Sequence, residues 1–472
     1  MKRFVSFVAI SLALVNAMAE EKSEEFFGYN GSVGTFSKVG FNNALIPESG
    51  IYPTDTFTTL FGRIDTTYNF KAFIDSSAIQ ALKIGVGIAG NGLIYDSTAK
   101  DGLPSWGYAN STGSGLNSAY VGAWYGNPMN GTNFGSARNY ILHNAYLDFQ
   151  SDYFNLKGGR YESGMDYFSG YTQGFNADIH FKVAPNDELK FWWFSSWGRA
   201  FAYSQWFLDF YSPKYSTNKD GKGENLGIHS GGADYVHNSI SDNNGVKDGM
   251  SVLFRPWTQF YASLFNAAGG KLDYQQYFGN GYGVGLTIQG YALNVLNTSK
   301  PATNAGVAGQ GGKVDKLSGN LNVILKAYMF DYNLRLGVYK NFGSANAHIG
   351  TYGNPLGIDQ WTASVYDVGP SLNDITSRNA VSVWLSGGGA HGFEVGTFSW
   401  EILARYTQSP RSDEQSVALF LSQAFKNGFA IGLKLEYLRD TTKAGYTING
   451  TTLSAKRTDD RSHAFITLDY NF

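Results

Sequence analysis

The chain has 472 residues, no cysteine and a formal net charge of −2, with 16% charged residues, 16% aromatics and 58 glycines. This near-neutral balance offers no basic stripe and argues against a nucleic-acid binder, and the lack of cysteine leaves neither a disulfide framework nor a lipid-anchored N-terminus. Charged residues fall well below the roughly 25% usual in soluble domains, and past residue 19 no run is apolar over about 18 residues, so no membrane-crossing helix is expected.

Lys2 and Arg3, the apolar run Phe4–Val15 and the small-residue site Ala17-Met18-Ala19 read as a signal peptide over residues 1–19. Its removal takes away the charges of Lys2 and Arg3 and leaves a net charge of −4. Export without cysteine suits a bacterial envelope protein. Residues 20–472 read as one domain.

Beyond the signal, apolar and polar residues alternate in short runs, the mark of strands with one greasy and one wet face. Gly28–Gly40 is a weak first strand. In the run from Leu60 to Phe70, Leu60, Ile64, Tyr68 and Phe70 share one face, and Arg63, Asp65, Thr67 and Asn69 the other. Leu82–Ile88 follows the same rule. Phe175–Val183 is the cleanest case, with Asn176, Asp178, His180 and Lys182 between its apolar residues. Similar runs occupy 141–150, 282–291, 320–329, 332–340, 398–406, 417–425 and 429–437. The region 200–260 does not alternate clearly, and Met250–Phe265 reads as one strand or two.

Connections fall into two classes. Tight ones are expected at Ser151-Asp152-Tyr153, Pro185-Asn186-Asp187, Gly279-Asn280-Gly281, Asp331, Ala390-His391-Gly392 and Lys426-Asn427-Gly428. Asn-Gly is a strong hairpin signal because both residues tolerate positive φ. Long polar ones lie near 43–56, 96–139, 205–230, 297–316, 344–378 and 441–459. This near-alternation of tight and long predicts a closed antiparallel transmembrane β-barrel with short periplasmic turns and long external loops. About 18 strands fit the length, with 16 as the alternative. Both termini are then periplasmic.

The last ten residues, His463 to Phe472, end the chain on a strand in which Leu468, Tyr470 and Phe472 share a face and Phe465 is the misfit. They resemble the C-terminal signal that the barrel-assembly machinery reads in bacterial outer-membrane proteins. Upstream, the Gly159-Arg160-Tyr161 strand end and the run Ser169-Gly170-Tyr171-Thr172-Gln173-Gly174-Phe175 resemble the Helicobacter Hof family of outer-membrane proteins. A strand ending in Gly-Arg before a short loop is more distantly similar to OprD-type porins. The resemblance implies a barrel in the bacterial outer membrane among lipids and, by analogy, passage of small solutes.

Strand parity then assigns charged residues to the lumen. The expected pore-lining set is Arg63, Asp65, Lys83, Asp148, Lys157, Asp178, His180, Lys182, Lys326, Arg335, Glu401, Arg405, Lys434, Glu436 and Asp469; Lys71 and Lys190 join it by the same rule. Without His180 these are ten basic and six acidic groups, which predicts a mild preference for anionic solutes. A loop folded into the mouth would bring Asp166, Tyr167 and Tyr171 into a constriction; the alternative is an external loop resting on its neighbours. Arg160 points to lipid by parity unless a bulge at Gly158-Gly159 turns it inward.

No reaction is expected. The glycines of Gly279–Gly285 lack a βαβ context. His229 and His237 lack zinc-ligand spacing, so neither metal nor cofactor is expected. His143 lies on a lipid-facing parity with no serine beside it. The function read from the sequence is a porin-like channel for small solutes. The alternative is a surface adhesin or host-interaction protein with a closed lumen. The oligomeric state is open.

Overall fold

The computed structural model describes residues 26–41, 56–96, 140–166, 168, 170–205, 207–211, 216–217, 223–243, 245–299, 314–349, 375–448 and 451–472. The signal segment and most of the long connections lie outside them. Among the described residues no helix is long and apolar enough to cross a membrane.

Eighteen strands form the wall. They are β1 (Phe27–Gly40), β2 (Phe57–Asn69), β3 (Ile79–Asp96), β4 (Tyr140–Ser151), β5 (Phe154–Glu162) and β6 (Tyr171–Ala184). Then come β7 (Asp187–Ala202), β8 (Ile228–Asn238), β9 (Val246–Tyr261), β10 (Phe265–Phe278), β11 (Tyr282–Val295) and β12 (Leu317–Met329). The last six are β13 (Tyr332–Phe342), β14 (Val381–Phe393), β15 (Gly396–Gln408), β16 (Ser412–Phe425), β17 (Phe429–Thr442) and β18 (His463–Asn471). Each pairs antiparallel with the next, and β18 returns to β1 from Ser32↔Asn471 to Gly40↔His463. Closure gives every one of these strands a partner on both sides over at least part of its length, so backbone groups along the seams find partners without water.

Alternation decides which face meets lipid. On β13, Leu334, Leu336 and Val338 are exposed outward, while Arg335 between them meets Glu401 across the wall interior. Phe465, the misfit of the last strand, faces inward against Phe36 at 5.0 Å. Its aromatic neighbours on that side explain why an apolar residue stands at a wet parity.

The short turns fall where the sequence places them, with one correction. Ala390, His391 and Gly392 are strand residues, and the β14–β15 turn is Glu394-Val395. The Gly-rich run before it marks close packing: a Cβ on Gly388 would lie 2.5 Å from the Trp400 carbonyl. At Lys426-Asn427-Gly428 a true turn forms, with Gly428 at φ 90°. Residues 246–261 make one strand, and a tight external turn at Ala262–Leu264 separates it from β10. A second tight external connection is Ser409–Arg411, so the external side is not uniformly long-looped.

Candidate functional site

The lumen is the candidate site, and its wall over β2–β5 shows how it is built. Lys83, Asp148 and Lys157 stand in one cross-strand row. Lys157 Nζ lies 4.2 Å from the centre of the Tyr146 ring and 5.3 Å from that of Tyr161. Glycine makes this possible: a Cβ on Gly85 would lie 2.2 Å from the Tyr146 ring, so the ring lies flat over β3. Higher up, Arg63 Nη1 donates to the Tyr171 hydroxyl at 3.2 Å, and Asp65 accepts from Asn144 at 2.6 Å.

His143 corrects the parity reading. The β3–β4 register shifts at Gly87/Ile88, where His143 is the extra residue of a bulge. The bulge turns it inward, fully buried, with Nε2 2.8 Å from Asp65 and its ring edge-on to Tyr171 at 5.0 Å. Arg63, Asp65, Asn144, Tyr146, Glu162 and Tyr171 surround a cavity of about 190 Å³. Lys71 is the second correction. It sits in a one-turn 3-10 segment at Phe70–Phe73, and its ammonium donates to Ile74 O, so it lies in a turn and not on a lumenal strand.

The β5–β6 connection folds inward. Phe168 packs on Phe194 at 4.9 Å within a buried cluster that includes Trp192 and Trp257. Asp166 accepts from Arg255 Nη1 at 2.8 Å and lies 3.7 Å from Lys271. Arg255 in turn grips Asp234 with Nε and Nη2 at 2.8 and 2.7 Å. Asp234 also accepts from Trp192 at 2.8 Å and faces Lys190 at 3.5 Å. Of the expected constriction residues, Asp166 and Tyr171 are thus both inside, on different walls, while Tyr167 lies outside the described residues. Arg255 and Asp234 were missed because β8 and β9 fall in the region without clear alternation.

Two further segments enter the lumen. After β7 the chain crosses to the opposite wall, where Ser204 O accepts from Thr59 Oγ1 at 2.6 Å and from Asn91 at 3.2 Å. Phe207, Ala200 and Ala202 then pack on Phe36, Phe57, Phe61 and Ile141. Past β13, Asn346 bonds Tyr291 at 3.1 Å and Asn341 at 3.0 Å, and His348 stacks on Phe265.

The remaining expected residues are largely paired. Lys326 meets Asp273 at 3.1 Å, and Arg335 meets Glu401. Lys326, Arg335 and Glu401 line a chamber of about 670 Å³ near the periplasmic end, with the Tyr277 and Tyr328 rings 5.2 Å apart. Arg405 contacts Glu414, and Lys434 contacts Glu436 with its ammonium 4.5 Å from the Phe465 ring centre. Asp178 holds Asn155 and His180, each at 3.1 Å. Asp469 stands beside Gly34, where a Cβ would lie 2.1 Å from its carboxylate. Lys83, Lys157 and Lys182 have no ion-pair partner among the described residues. Phe472 exchanges two backbone hydrogen bonds with Gly31, at 2.9 and 3.0 Å, while Leu468 and Tyr470 face outward.

Arg160 keeps an unbroken register through Gly158-Gly159, so no bulge re-aims it. Its guanidinium bonds Gln173 at 3.2 Å, lies 3.5 Å from Leu142 O and sits 4.4 Å from the Phe210 ring centre.

A closed barrel with an apolar outer face, a charged lumen and inward-folded connections is an outer-membrane protein of the porin fold. The chain belongs to the family described as "Putative outer membrane protein", whose model matches residues 10–472. No curated protein sequence matches it. Among solved structures it is similar to OccAB3 of Acinetobacter baumannii, with TM-score 0.60 and 10% identity over 94% of this chain and 99% of that one. OpdK of Pseudomonas aeruginosa is similar with TM-score 0.57 and 9% identity over 95% and 99%, and was also solved with vanillate. These are OprD-type porins, and at such identities the likeness shows the fold.

Proposed function

We propose that the protein is a narrow channel for small solutes with a mild preference for anions. The supporting observation is the lumenal row Lys83–Asp148–Lys157, two ammonium groups to one carboxylate, held open by Gly85 and Tyr146. Such charges stay ionised at little cost only where water reaches them; facing lipid at mid-membrane, each lysine would cost about 2–4 kcal/mol. The pairing of Lys326, Arg335, Arg405 and Lys434 with carboxylates leaves this row as the main unbalanced positive field. The neighbour that binds vanillate, an anionic solute, is consistent with this reading.

Reconstitution in a planar bilayer under a salt gradient tests it. The wild type should give a reversal potential of anion sign, and Lys83→Glu with Lys157→Glu should move it toward cations. Lys434→Glu alone should move it less, since Glu436 already balances that charge. Strong cation preference in the wild type would overturn the proposal. A second reading has its own support. Residues of three inward segments, among them Phe168, Phe207 and Ile349, join buried apolar clusters with the barrel wall, as a closed lumen would require. Absence of conductance would favour it.

A further inference from the structure

The wall is split between β4 and β5. Their pairing starts at Gln150↔Asn155 and stops at Ala145↔Arg160, yet β4 runs on to Tyr140. Residues 140–144 pair with β3 on one side, and among the described residues no strand pairs with the other. The strands that should continue the wall turn away: β5 ends at Glu162, and the end of β7 pairs with Phe207–Tyr211, a segment whose Phe207 lies inside the lumen. With about 2.5 Å of height per residue in a tilted strand, Ala145 stands roughly 15 Å above the periplasmic turn and Tyr140 roughly 28 Å. The split therefore falls in the outer half of the membrane.

Among the described residues, side chains and not backbone pairing close it. Arg160 reaches across to Leu142 O and is covered by Phe210, while Leu142 is exposed on the outer side. Directly inside stand apolar Ile141 and Phe61, and next to them Tyr171 and Arg63. Two polar atoms there are buried without a hydrogen-bond partner, Arg63 Nε and His143 Nδ1. The unmet Arg63 donor beside an apolar lining suits a molecule with a greasy tail and an anionic head.

We propose that the β4–β5 split is a lateral portal through which an amphiphilic carboxylic acid passes between the outer leaflet and the lumen, its carboxylate received by Arg63. The proposal rests on the lumen being water-filled. Arg160 and Phe210 are the closing pair, and the 190 Å³ cavity receives the head group.

The cysteine-free chain permits a direct test. Leu142→Cys with Phe210→Cys, bridged by a bis-thiosulfonate reagent, should lock the split and be released by reductant. Bilayers preloaded with a diazirine derivative of lauric acid are then irradiated. Label should appear on lumenal Ile141 or Phe61 in the wild type and in the reduced variant, and fall at least tenfold in the bridged one. Arg63→Gln should lower lumenal labelling several-fold while the barrel stays folded. Equal labelling of bridged and reduced protein, or none inside the wild type, overturns the portal. Conductance of the same samples is scored separately: current without lumenal label defeats the portal alone, and label without current defeats the channel reading alone.

Discussion

Asp166 shows how one residue can set the geometry of a lumen. Its carboxylate is the link that ties the inward β5–β6 connection to Arg255 and Lys271 on the far side of the neighbouring strands. Asp166→Asn keeps size and shape but removes the charge. Arg255 retains Asp234 and half-buried Lys271 loses its carboxylate partner, so the loss should be about 1.5–3 kcal/mol of charge-assisted bonding. Single-channel conductance should rise, with a modest fall in heat stability; unaltered conductance would show that the connection is held by Phe168 alone. Asp315 makes a comparable link in the external loops. Its carboxylate accepts from Arg378 Nε at 2.8 Å and from the Ser344 amide at 2.9 Å. The Arg378 hydrogen bond is the main reason its pKa lies below the ordinary 3.8. A depressed carboxylate stabilises the folded state above its unfolded pKa, and that contribution disappears as pH falls through the lower folded value. Protection of the Ser344 amide from hydrogen exchange should therefore hold at pH 5 and fade only below the usual carboxylate range. With Arg378 partly exposed, the pair contributes no more than about 1 kcal/mol, and Asp315→Asn should lower protection at pH 7 accordingly.

At the level of elements, the closing pair β1–β18 is the most demanding. Nine residues of β18 find partners on β1, and glycine on β1 makes room for what β18 carries. A Cβ on Gly34 would lie 2.1 Å from the Asp469 carboxylate and 2.8 Å from Leu468 O, and one on Gly31 would meet the Phe472 ring at 2.5 Å. Gly34→Val forces the last strand away from the first and should destabilise closure by about 1–3 kcal/mol. Deleting Phe472 removes both backbone bonds to Gly31 and the terminal aromatic. Surface levels of the truncated protein should drop far more than those of a variant lacking Ser371, which lies outside the described residues. Wild-type levels after the truncation would show that closure does not depend on the final residue.

Taken whole, the molecule is a closed hydrogen-bonded cylinder, and opening it requires breaking one complete strand seam. Such a barrel should stay folded in dodecyl sulfate at room temperature and migrate faster than the boiled protein. Its far-ultraviolet circular dichroism should be dominated by strand. A helix-dominated spectrum, or identical migration with and without boiling, would falsify the fold. Stability of this kind comes from closure, so it should not be matched by any half-barrel fragment, whose two edges would be left unpaired.

The period-two alternation of Phe175–Val183, the turn residues at Lys426-Asn427-Gly428 and the terminal aromatic strand determined the barrel and its place in the membrane, while the choice of 18 strands over 16 came from the tertiary structure. Each is a local pattern, and a bilayer admits only one closed solution for it. Parity alone assigned Arg63, Asp65, Lys157 and Lys434 to one face. The tertiary structure decided what those charges meet. Lys434 finds Glu436 two residues away, but Asp166 finds Arg255 across 89 residues of chain. No local period records that distance. The bulge that brings His143 to Asp65 and the split that leaves Tyr140–Asn144 without a second strand partner among the described residues likewise arise from how adjacent strands are registered. A register is a relation between two segments, and neither segment carries it alone.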